Sequence, residues 1–396
     1  MLRIGQFTDT FIPVVDGVGR VSLAYAETLC KMGHQVTVVT PQNDTGYRGG
    51  YPFELLEYYG TTVPGIRQYK TGESNLDIHY RQRIKQIPLD IVHAHSPFKA
   101  GSDALRLAVS RHIPLVSTFH SKYYDDFLKT TKSERMAQLG VKFIVDFYNR
   151  CDEVWAVGHD TAQVLHDYGY QGEIHVMPNG VNIREKNEKY IPVVEEMFGI
   201  PEQEKLLLFV GQMNWKKNIL KILEAAQLLQ EEGERFTLLL AGRGPDEKEI
   251  DKKIADMHIG HFVRRIGHQT DLNVLDGLYQ RASLFVFPSL YDNAPMVIRE
   301  AAAMHTPAVM VRGSSAAEVI EDGKNGFLCE DESRDLARVI LSSMNDGELL
   351  RRVGREARDT IPVSWDTVME QVVERYERLI AYGREGHLVK KNTRFI

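Results

Sequence analysis

Short apolar runs alternate with longer amphipathic stretches along the whole chain, and this alternation constrains the fold more than any other feature. Such a pattern is typical of parallel β-sheets whose crossover helices cover both faces. In the first half, the apolar runs occupy residues 2–8, 35–40, 91–95, 114–119 and 153–157. In the second half, they occupy residues 205–210, 236–241, 263–267, 284–288 and 307–311. The sequence therefore predicts the same α/β architecture twice.

The length supports two domains, because a single hydrophobic core stops growing beyond about 250–300 residues and this chain has 396. We expect an N-terminal Rossmann-like domain over residues 1–180 and a second one over residues 181–364. An amphipathic helical pattern follows from residue 365, with apolar residues Val368, Val372, Val373, Tyr376 and Leu379. It is longer than a closing helix needs to be, so we expect residues 365–396 to pack back on the first domain.

Composition and charge exclude several classes of protein. A net charge of -6 disfavours a dedicated nucleic-acid binder. The three cysteines, Cys30, Cys151 and Cys329, are too far apart to indicate a disulfide framework or a zinc cage. The N-terminus has no signal-like apolar segment, and no apolar stretch approaches the ~18 residues of a spanning helix. We therefore expect a cytoplasmic protein without a metal site, and the sequence does not indicate its oligomeric state.

A first candidate phosphate site is the glycine pair Gly17 and Gly19 before a helical segment. A dinucleotide fingerprint is disfavoured, because Ser22 replaces the third small residue and the second strand ends at Thr40 and Pro41 without an acidic residue. What remains is a glycine-rich helix N-terminus whose N–H groups are able to face an anion. The alternative is that the two glycines only relieve strain in a loop.

A second candidate site opens the second domain. A strand ends at Gly211, and Lys216 and Lys217 precede the next helix. An ammonium group beside a helix start can neutralise a pyrophosphate. The alternative is an exposed corner with two solvated lysines.

The third candidate site is the segment of residues 292–300. A strand ends at Pro288, and a helix should begin near Pro295, since proline is favoured in the first helical position. Open α/β sheets bind ligands at this carboxyl edge. Glu300, eight positions after Asp292, can accept two hydrogen bonds from a ribose diol. The alternative is that Asp292 or Asn293 merely caps the helix.

Taken in order, these sites resemble the retaining glycosyltransferases of family 4. That resemblance implies the GT-B fold, in which two facing Rossmann-like domains with parallel sheets enclose a cleft. It covers nearly the whole chain, and its signposts are the segments 9–13, 16–20, 93–98, 117–120, 177–181, 210–211, 217–218, 241–245, 287–289, 300–301 and 322–328.

The resemblance implies a role for each candidate residue. His120 corresponds to a histidine near the donor sugar, and Lys217 corresponds to the positively charged residue that neutralises the leaving diphosphate. Asp292 and Glu300 correspond to the two acids that hold the sugar hydroxyls and the ribose. Further donor contacts are expected from Gly17, Gly211, Gln212, Lys216, Arg243, Asn293, Ala294, Met296 and Val297. The implied donor is a nucleotide sugar, UDP-hexose by family frequency, and no metal is required.

Three positions depart from the family pattern. Gln212 stands where the arginine partner of the lysine is usual, so Lys216, Arg243 or Arg312 would have to meet the remaining phosphate charge. Asp292 is one methylene shorter than the usual glutamate. Pro295 replaces a glycine and cannot donate an N–H.

The second substrate, the acceptor that receives the sugar, is less constrained by the sequence. Residues 119–150 mix aromatic side chains with the basic residues Lys122, Lys129, Lys132, Arg135 and Lys142. This pattern fits a core helix with a solvated face slightly better than a basic amphipathic surface on the inner face of an anionic membrane. The segments 93–98 and 119–120 are similar to those of the family's lipid glucosyltransferases, so the acceptor is a sugar or a lipid.

Two other functions stay open at this point. One is a UDP-sugar 2-epimerase, which would bind the same donor without an acceptor. The other is a non-catalytic subunit that binds nucleotide sugars. A metal pair at His93 and His95 is disfavoured, since alternate histidines at a strand end more often serve packing or hydrogen bonding.

Overall fold

The computed structural model describes residues 1–13, 16–43, 49–63 and 66–388. Its contacts divide the chain into two compact units. Unit 1 comprises Met1–Asn179 together with Trp365–Ile396, and unit 2 comprises Gly180–Ser364. The end of the segment predicted to pack back on the first domain, residues 389–396, lies outside the described residues.

The strands in chain order are β1 Arg3–Phe7, β2 Gln35–Pro41, β3 Glu54–Tyr58, β4 Thr61–Val63, β5 Ile66–Thr71, β6 Ile91–Ala94, β7 Leu115–Phe119, β8 Glu153–Ala156, β9 Ile174–Val176, β10 Lys205–Val210, β11 Phe236–Ala241, β12 Val263–Gly267, β13 Leu284–Val286, β14 Ala308–Val311 and β15 Phe327–Cys329. The α-helices are α1 Gly17–Lys31, α2 Ile78–Gln86, α3 Lys99–Arg111, α4 Tyr123–Thr131, α5 Glu134–Tyr148, α6 His159–Asp167, α7 Tyr190–Phe198, α8 Ile219–Glu231, α9 Glu247–Asp256, α10 Leu272–Arg281, α11 Met296–Ala303, α12 Ser333–Met344, α13 Gly347–Thr360 and α14 Trp365–Arg384. Short 3-10 helices occupy Ser74–Leu76, Trp215–Lys217 and Ser315–Ala317.

Unit 1 is built on a parallel sheet that, over the described residues, has the strand order β3-β2-β1-β6-β7-β8-β9. Its central strands are buried along their length, as expected where helices cover both faces of a parallel sheet. β4 and β5 form a separate antiparallel pair that the sequence pattern did not predict.

The last helix, α14, belongs to unit 1 and packs against α1. Its buried face carries Trp365, Val368, Val372 and Tyr376, spaced for one side of a helix. The guanidinium of Arg375 forms an ion pair with Glu153 at the start of β8, with Nε 2.8 Å from Oε1. The helix thereby closes the core of the first unit from the C-terminal end of the chain.

Unit 2 repeats the plan with a parallel sheet of order β12-β11-β10-β13-β14-β15 over the described residues. Leu207 of β10, Leu239 of β11 and Phe285 of β13 are at most 1% exposed and lie in the core of this unit. The apolar runs of the sequence therefore correspond to the buried strands of both units.

The strand order reverses between β1 and β6 in unit 1 and between β10 and β13 in unit 2. At such a reversal the loops after the two central strands diverge, and the helix starts that follow leave a crevice at the carboxyl edge. Residues that follow β1, β6 and β7 in one unit, and β10, β11 and β13 in the other, are thus placed to form sites. Among the described residues, no helix is both long and apolar enough to cross a bilayer.

Candidate functional site

The loops after β10 and β13 meet at the strand-order reversal of unit 2. After β10, the 3-10 helix Trp215–Lys217 ends at Asn218, which has the left-handed φ of 63°. The Asn218 side-chain amide donates to the Pro288 carbonyl at the end of β13, at 3.0 Å. This bond ties the two loops together and brings Lys217 to the segment of residues 292–300.

Lys217 and Asp292 form the central contact of this edge. The Lys217 ammonium lies 2.5 Å from Asp292 Oδ1, and the two side chains are only 10% and 19% exposed. The other carboxylate oxygen, Oδ2, accepts a hydrogen bond from the hydroxyl of Ser289 at 2.6 Å. Both oxygens of Asp292 are therefore held in place, and the ammonium of Lys217 beside them is largely shielded from solvent.

The ring of Tyr291 holds a second positive group, the ammonium of Lys216, close to Lys217. The Lys216 ammonium lies 4.3 Å from the centre of the Tyr291 ring, and the Lys217 ammonium lies 5.3 Å from it. Contacts of this kind attract a cation to the negative face of an aromatic ring. Two ammonium groups thus share one ring, which makes this corner suited to an anion with more than one charge.

Glu300 lies in α11 and is buried. Its Oε2 accepts a hydrogen bond from the hydroxyl of Tyr279 in α10, at 3.2 Å. A buried carboxylate is costly unless it is hydrogen-bonded. Tyr279 therefore contributes to holding a carboxylate in the first turns of α11.

The N-terminus of α11 differs from the capping that the sequence suggested. Pro295 is the N-cap residue and not the first helical residue, and no side chain caps this end. The alternative in which Asp292 caps the helix is therefore wrong, because Asp292 is bound to Lys217 and Ser289 instead. The helix starts at Met296, and the N–H groups of Met296 and Val297 belong to the first turn, where the helix itself supplies no acceptor.

Gly211 and Gly242 approach each other closely where β10 and β11 end. A Cβ on Gly242 would lie 1.8 Å from the Gly211 carbonyl oxygen, and Gly242 has a φ of 143° that side chains disfavour. The Gly211 N–H donates to the Ala241 carbonyl at 3.0 Å, and the Gly242 N–H donates to Gly267 at 2.7 Å. The two glycines thus let the ends of β10 and β11 approach each other closely, just before the loop that carries Lys216 and Lys217.

The three candidate cations for the missing arginine differ in their surroundings. Arg312 is bound to Asp322 at 2.6 Å and to Glu330 at 3.3 Å, so surface carboxylates already neutralise it. Arg243 is exposed after β11, while Lys216 shares the Tyr291 ring with Lys217. Gln212 lies half-buried directly after Gly211. Lys216 is therefore the cation closest in placement to Lys217.

In unit 1, Gly17 is the first residue of α1, and Asp16 caps this helix by accepting from the Gly19 N–H at 2.6 Å. A Cβ on Gly17 would meet no described atom within 4 Å, whereas one on Gly19 would lie 3.0 Å from the Asp16 carboxylate. Gly19 is therefore the glycine that the cap requires, and Gly17 leaves space beside the helix start.

Asp9 supports the same edge of unit 1 after β1. Its Oδ1 accepts from the Ala100 N–H at 3.0 Å, and its Oδ2 accepts from the Ser96 hydroxyl at 2.5 Å. Burial raises the pKa of Asp9 above its usual value, although these two hydrogen bonds oppose the shift. Asp9 thus joins the end of β1 to the first turn of α3.

His120 follows β7 and is buried against His95, with Nε2 3.2 Å from His95 Nδ1. His95 Nε2 in turn lies 2.5 Å from Gln6 Oε1. Burial lowers the pKa of His120 to about 3 and holds those of His93 and His95 well below the usual value. All three imidazoles are therefore neutral at pH 7, and both ring nitrogens of His93 and of His95 are occupied by hydrogen bonds.

Several residues of these sites were missed from the sequence. Tyr279 lies on a neighbouring helix, and Gln6 and Tyr376 are 370 residues apart, so no local pattern indicates them. Ser289 had a usable signal, because it directly follows the apolar run of residues 284–288 and lies three residues before Asp292. Among the described residues, no group of three or more histidine, cysteine or acidic side chains has the arrangement of a metal site.

Family comparison covers most of the chain in two parts. Residues 193–360 match the model of the glycosyl transferases group 1. Residues 15–185 match the model of glycosyltransferase family 4. The two matches correspond to unit 2 and unit 1, respectively.

Individual relatives are distant but extend over nearly the full length. The alpha-monoglucosyldiacylglycerol synthase of Acholeplasma laidlawii is 23% identical over 369 residues, which are 90% of this chain and 92% of that protein. The enzyme of the same name from Streptococcus pneumoniae is 26% identical and covers 87% of this chain and 78% of its own. The structure of Anabaena HepE in complex with UDP and glucose superposes with a TM-score of 0.77 at 18% identity, covering 95% and 100% of the two chains. The predicted GT-B fold class is thereby confirmed.

Proposed function

Because this chain belongs to the group 1 glycosyltransferases of family 4, we propose that it transfers a hexosyl group from UDP-hexose to a lipid or glycolipid hydroxyl. The observation that carries this proposal is the Lys217–Asp292 contact at the carboxyl ends of β10 and β13. It places a cation, a fixed carboxylate and the start of α11 at one edge of the unit 2 sheet. These are the groups that a diphosphate and a sugar ring require.

Each part of the nucleotide sugar has a proposed partner in the protein. The ammonium of Lys217, with Lys216 beside it, neutralises the diphosphate. Asp292, held by Ser289, accepts hydrogen bonds from sugar hydroxyls. Glu300 accepts from the ribose diol, and Tyr279 orients its carboxylate. Gly211, Gln212, Arg243, Asn293, Ala294 and the amides of Met296 and Val297 complete the donor contacts, while the roles expected of Gly17 and His120 in unit 1 stay predictions.

The proposed reaction retains the anomeric configuration and uses no metal. The acceptor oxygen bonds to the anomeric carbon on the face from which the bond to the β-phosphate oxygen breaks, and the acceptor proton passes to that phosphate oxygen. UDP leaves with the electron pair of the broken bond. Preorganised positive charge at the diphosphate then supplies most of the stabilisation of the transition state.

The first test is binding of UDP to Glu300→Gln. UDP should stabilise the wild-type chain against heat by about 2.7 kcal/mol at a concentration of 100 Kd. The glutamine keeps an acceptor for Tyr279 but loses the charge, and charge-assisted hydrogen bonds are roughly twice as strong as neutral ones. We therefore expect the Kd for UDP to rise about 10-fold, measured by thermal shift and calorimetry.

Glu321→Gln is the matched control, because the carboxylate of Glu321 pairs with Lys324 at the surface of unit 2. It should bind UDP as the wild type does. Equal affinity of Glu300→Gln and wild type would remove Glu300 from the donor site. UDP-glucose, UDP-N-acetylglucosamine and GDP-mannose in the same assay select the donor, and release of a free epimer from donor alone would indicate an epimerase instead.

We further propose that α4 and α5 bring the enzyme to the cytoplasmic face of an anionic membrane, where a lipid acceptor lies. One face of α5 is buried through Ala137, Val141 and Ile144. The opposite face exposes Met136, Leu139 and Phe143, which are 52%, 59% and 47% accessible. Exposed basic residues flank this stripe: Lys129, Lys132, Arg135 and Lys142. An amphipathic surface of this composition suits the interface of an anionic bilayer.

Vesicle sedimentation tests this surface. We expect binding to vesicles containing phosphatidylglycerol, and weak binding to phosphatidylcholine alone. Since each basic residue near an anionic surface contributes about 1 kcal/mol, neutralising Lys129, Lys132 and Arg135 together should weaken binding roughly 100-fold. Neutralising Lys248, Lys252 and Lys253 on α9 of unit 2 changes the net charge equally and should have little effect. Equal losses in the two variants, or no binding by the wild type, would contradict the membrane proposal.

A further inference from the structure

A continuous chain of hydrogen bonds runs through the interior of unit 1 from His120 to the C-terminal helix. We call it the histidine relay, and its members are Gln6, His93, His95, Thr118, His120 and Tyr376. His120 contacts His95, His95 contacts Gln6, and the Gln6 amide nitrogen lies 3.2 Å from the Tyr376 hydroxyl. The Tyr376 hydroxyl lies 2.6 Å from His93 Nδ1, and His93 Nε2 lies 2.7 Å from the Thr118 hydroxyl.

The protons of this relay can be assigned from its chemistry. A neutral imidazole has one N–H donor and one bare acceptor nitrogen, whereas an amide oxygen only accepts. Because His95 Nε2 faces Gln6 Oε1, it must be the N–H of that ring. His95 Nδ1 is then the acceptor, so His120 Nε2 must carry the proton that lies between the two rings.

The contacts on the far side of the relay are consistent with this orientation of the Gln6 amide. The Gln6 NH₂ group donates to the Tyr376 oxygen, which leaves the Tyr376 hydroxyl proton to be donated to His93 Nδ1. His93 Nε2–H then donates to Thr118 Oγ1. Rotating the amide by half a turn would reverse every donor in the relay and move the His120 proton to Nδ1. The orientation of the Gln6 amide therefore sets the direction of the whole relay, and the Tyr376 hydroxyl links that amide to His93.

We propose that Gln6, His95 and Tyr376 are positioning residues that hold His120 in the tautomer with the proton on Nε2. The Nδ1 atom of His120 is then the unprotonated nitrogen of that ring, which can only accept a hydrogen bond. The tautomer follows from unit 1 alone, whereas the role of Nδ1 rests on the proposed function. A residue of the last helix would accordingly control the protonation site of His120 through Gln6 and His95.

The relay is surrounded by aromatic side chains that keep solvent water away from its hydrogen bonds. Tyr25 packs edge-on against His93 and His95 at ring-centre distances of 5.7 and 5.1 Å. Trp155 packs against His93 at 5.0 Å and stacks on Tyr376 at 5.7 Å. Gln6, His93, His95 and Tyr376 are each 0% exposed. Within this aromatic cage, the hydrogen-bond partners alone decide which nitrogen is protonated.

The decisive experiment is ¹⁵N NMR of the chain labelled at histidine, which distinguishes a protonated from a bare ring nitrogen. In the wild type we expect His120 with Nε2 protonated and Nδ1 bare, assigned by comparison with His120→Gln. A His120 signal with the proton on Nδ1 would overturn the proposal without any variant being needed. This readout requires neither donor nor acceptor, so it stands apart from the test of UDP binding.

Tyr376→Phe tests the control exerted through the last helix. It removes one hydroxyl from the relay, so the Gln6 amide is released and the His120 signals should show both tautomers. Removing an outer partner that orients a metal-bound histidine costs 10–100-fold in activity; for the same kind of orienting contact, we expect kcat to fall about 10-fold while UDP binding is unchanged. Tyr25→Phe is the matched control, because Tyr25 packs on the same rings and, among the described residues, no hydrogen bond joins it to the relay. A single tautomer and an unchanged kcat in Tyr376→Phe, or equal effects in Tyr25→Phe, would contradict the proposal.

Discussion

Lys217→Met should reduce kcat/KM for hexosyl transfer by about 10²–10³-fold, which is typical of removing one group that stabilises the charge of a transition state. Methionine is close to lysine in length and lacks the charge. The Lys217 side chain is 10% exposed, so solvent cannot replace its ammonium effectively. Steady-state kinetics should place most of the loss in kcat, because the charge on the leaving diphosphate grows as the bond to the sugar breaks.

The loss has two possible sources, and a second variant separates them. Lys217→Met also leaves the carboxylate of Asp292 without its cation, which lies 2.5 Å away in the wild type. Asp292→Asn removes that charge, so Lys217→Met is measured again in the Asp292→Asn background. Should the lysine serve the diphosphate, it remains important there; should Lys217→Met be harmless in that background, its only role was to neutralise Asp292. Lys221→Met, which removes the ammonium paired with Asp331 one turn into α8, is the control and should be near wild type.

Gly242→Ala should destabilise unit 2 by about 3 kcal/mol or more, because the new Cβ would meet the carbonyl oxygen of Gly211. Hydrogen bonds to Gly267 and Ala241 hold the two backbones together, so neither strand end can yield easily. For a unit of this size, a loss of 3 kcal/mol lowers Tm by roughly 6–12 °C. Calorimetry should show this shift in the transition that UDP binding stabilises.

Gly233→Ala separates steric contact from backbone preference. Gly233 also has a positive φ, 87°, but an added Cβ there would meet nothing among the described atoms within 4 Å. Its cost should be about 1 kcal/mol, which is the difference expected when alanine replaces glycine in such a conformation. Equal shifts in Tm for the two variants would show that the Gly211–Gly242 contact does not constrain the fold.

The sequence predicted those parts of the molecule that depend on local pattern. Residues 205–210 and 284–288 are apolar and bounded by glycine or proline, so their carboxyl ends, and hence the positions of Lys217 and Asp292 beside them, follow from the order of residues alone. The short strands β9 and β15 and the antiparallel pair of β4 and β5 escaped prediction, because segments of three to six residues carry too little periodicity.

The missed contacts all depend on residues that are distant in sequence. The Asp292 carboxylate chooses Lys217 and Ser289 over the start of α11, which propensity rules for helix caps cannot anticipate. Likewise, the hydrogen-bonding role of Gln6 in β1 could not be predicted, because its partner Tyr376 is supplied by α14. His93 and His95 make hydrogen bonds, as the sequence indicated for alternate histidines at a strand end, although their partners were not foreseen.

The assignment of α14 to unit 1 also affects how the protein is made. Unit 2 is continuous in sequence, whereas unit 1 has its final helix separated from the rest by all of Gly180–Ser364. At a synthesis rate of about 5–20 residues per second, roughly 10–40 s pass between the two parts. During that time Gln6 and His93 lack Tyr376, so the interior of unit 1 has polar groups without their final partners. The unit encoded second is consequently the first to be complete on the ribosome, and the histidine relay is among the last features to form.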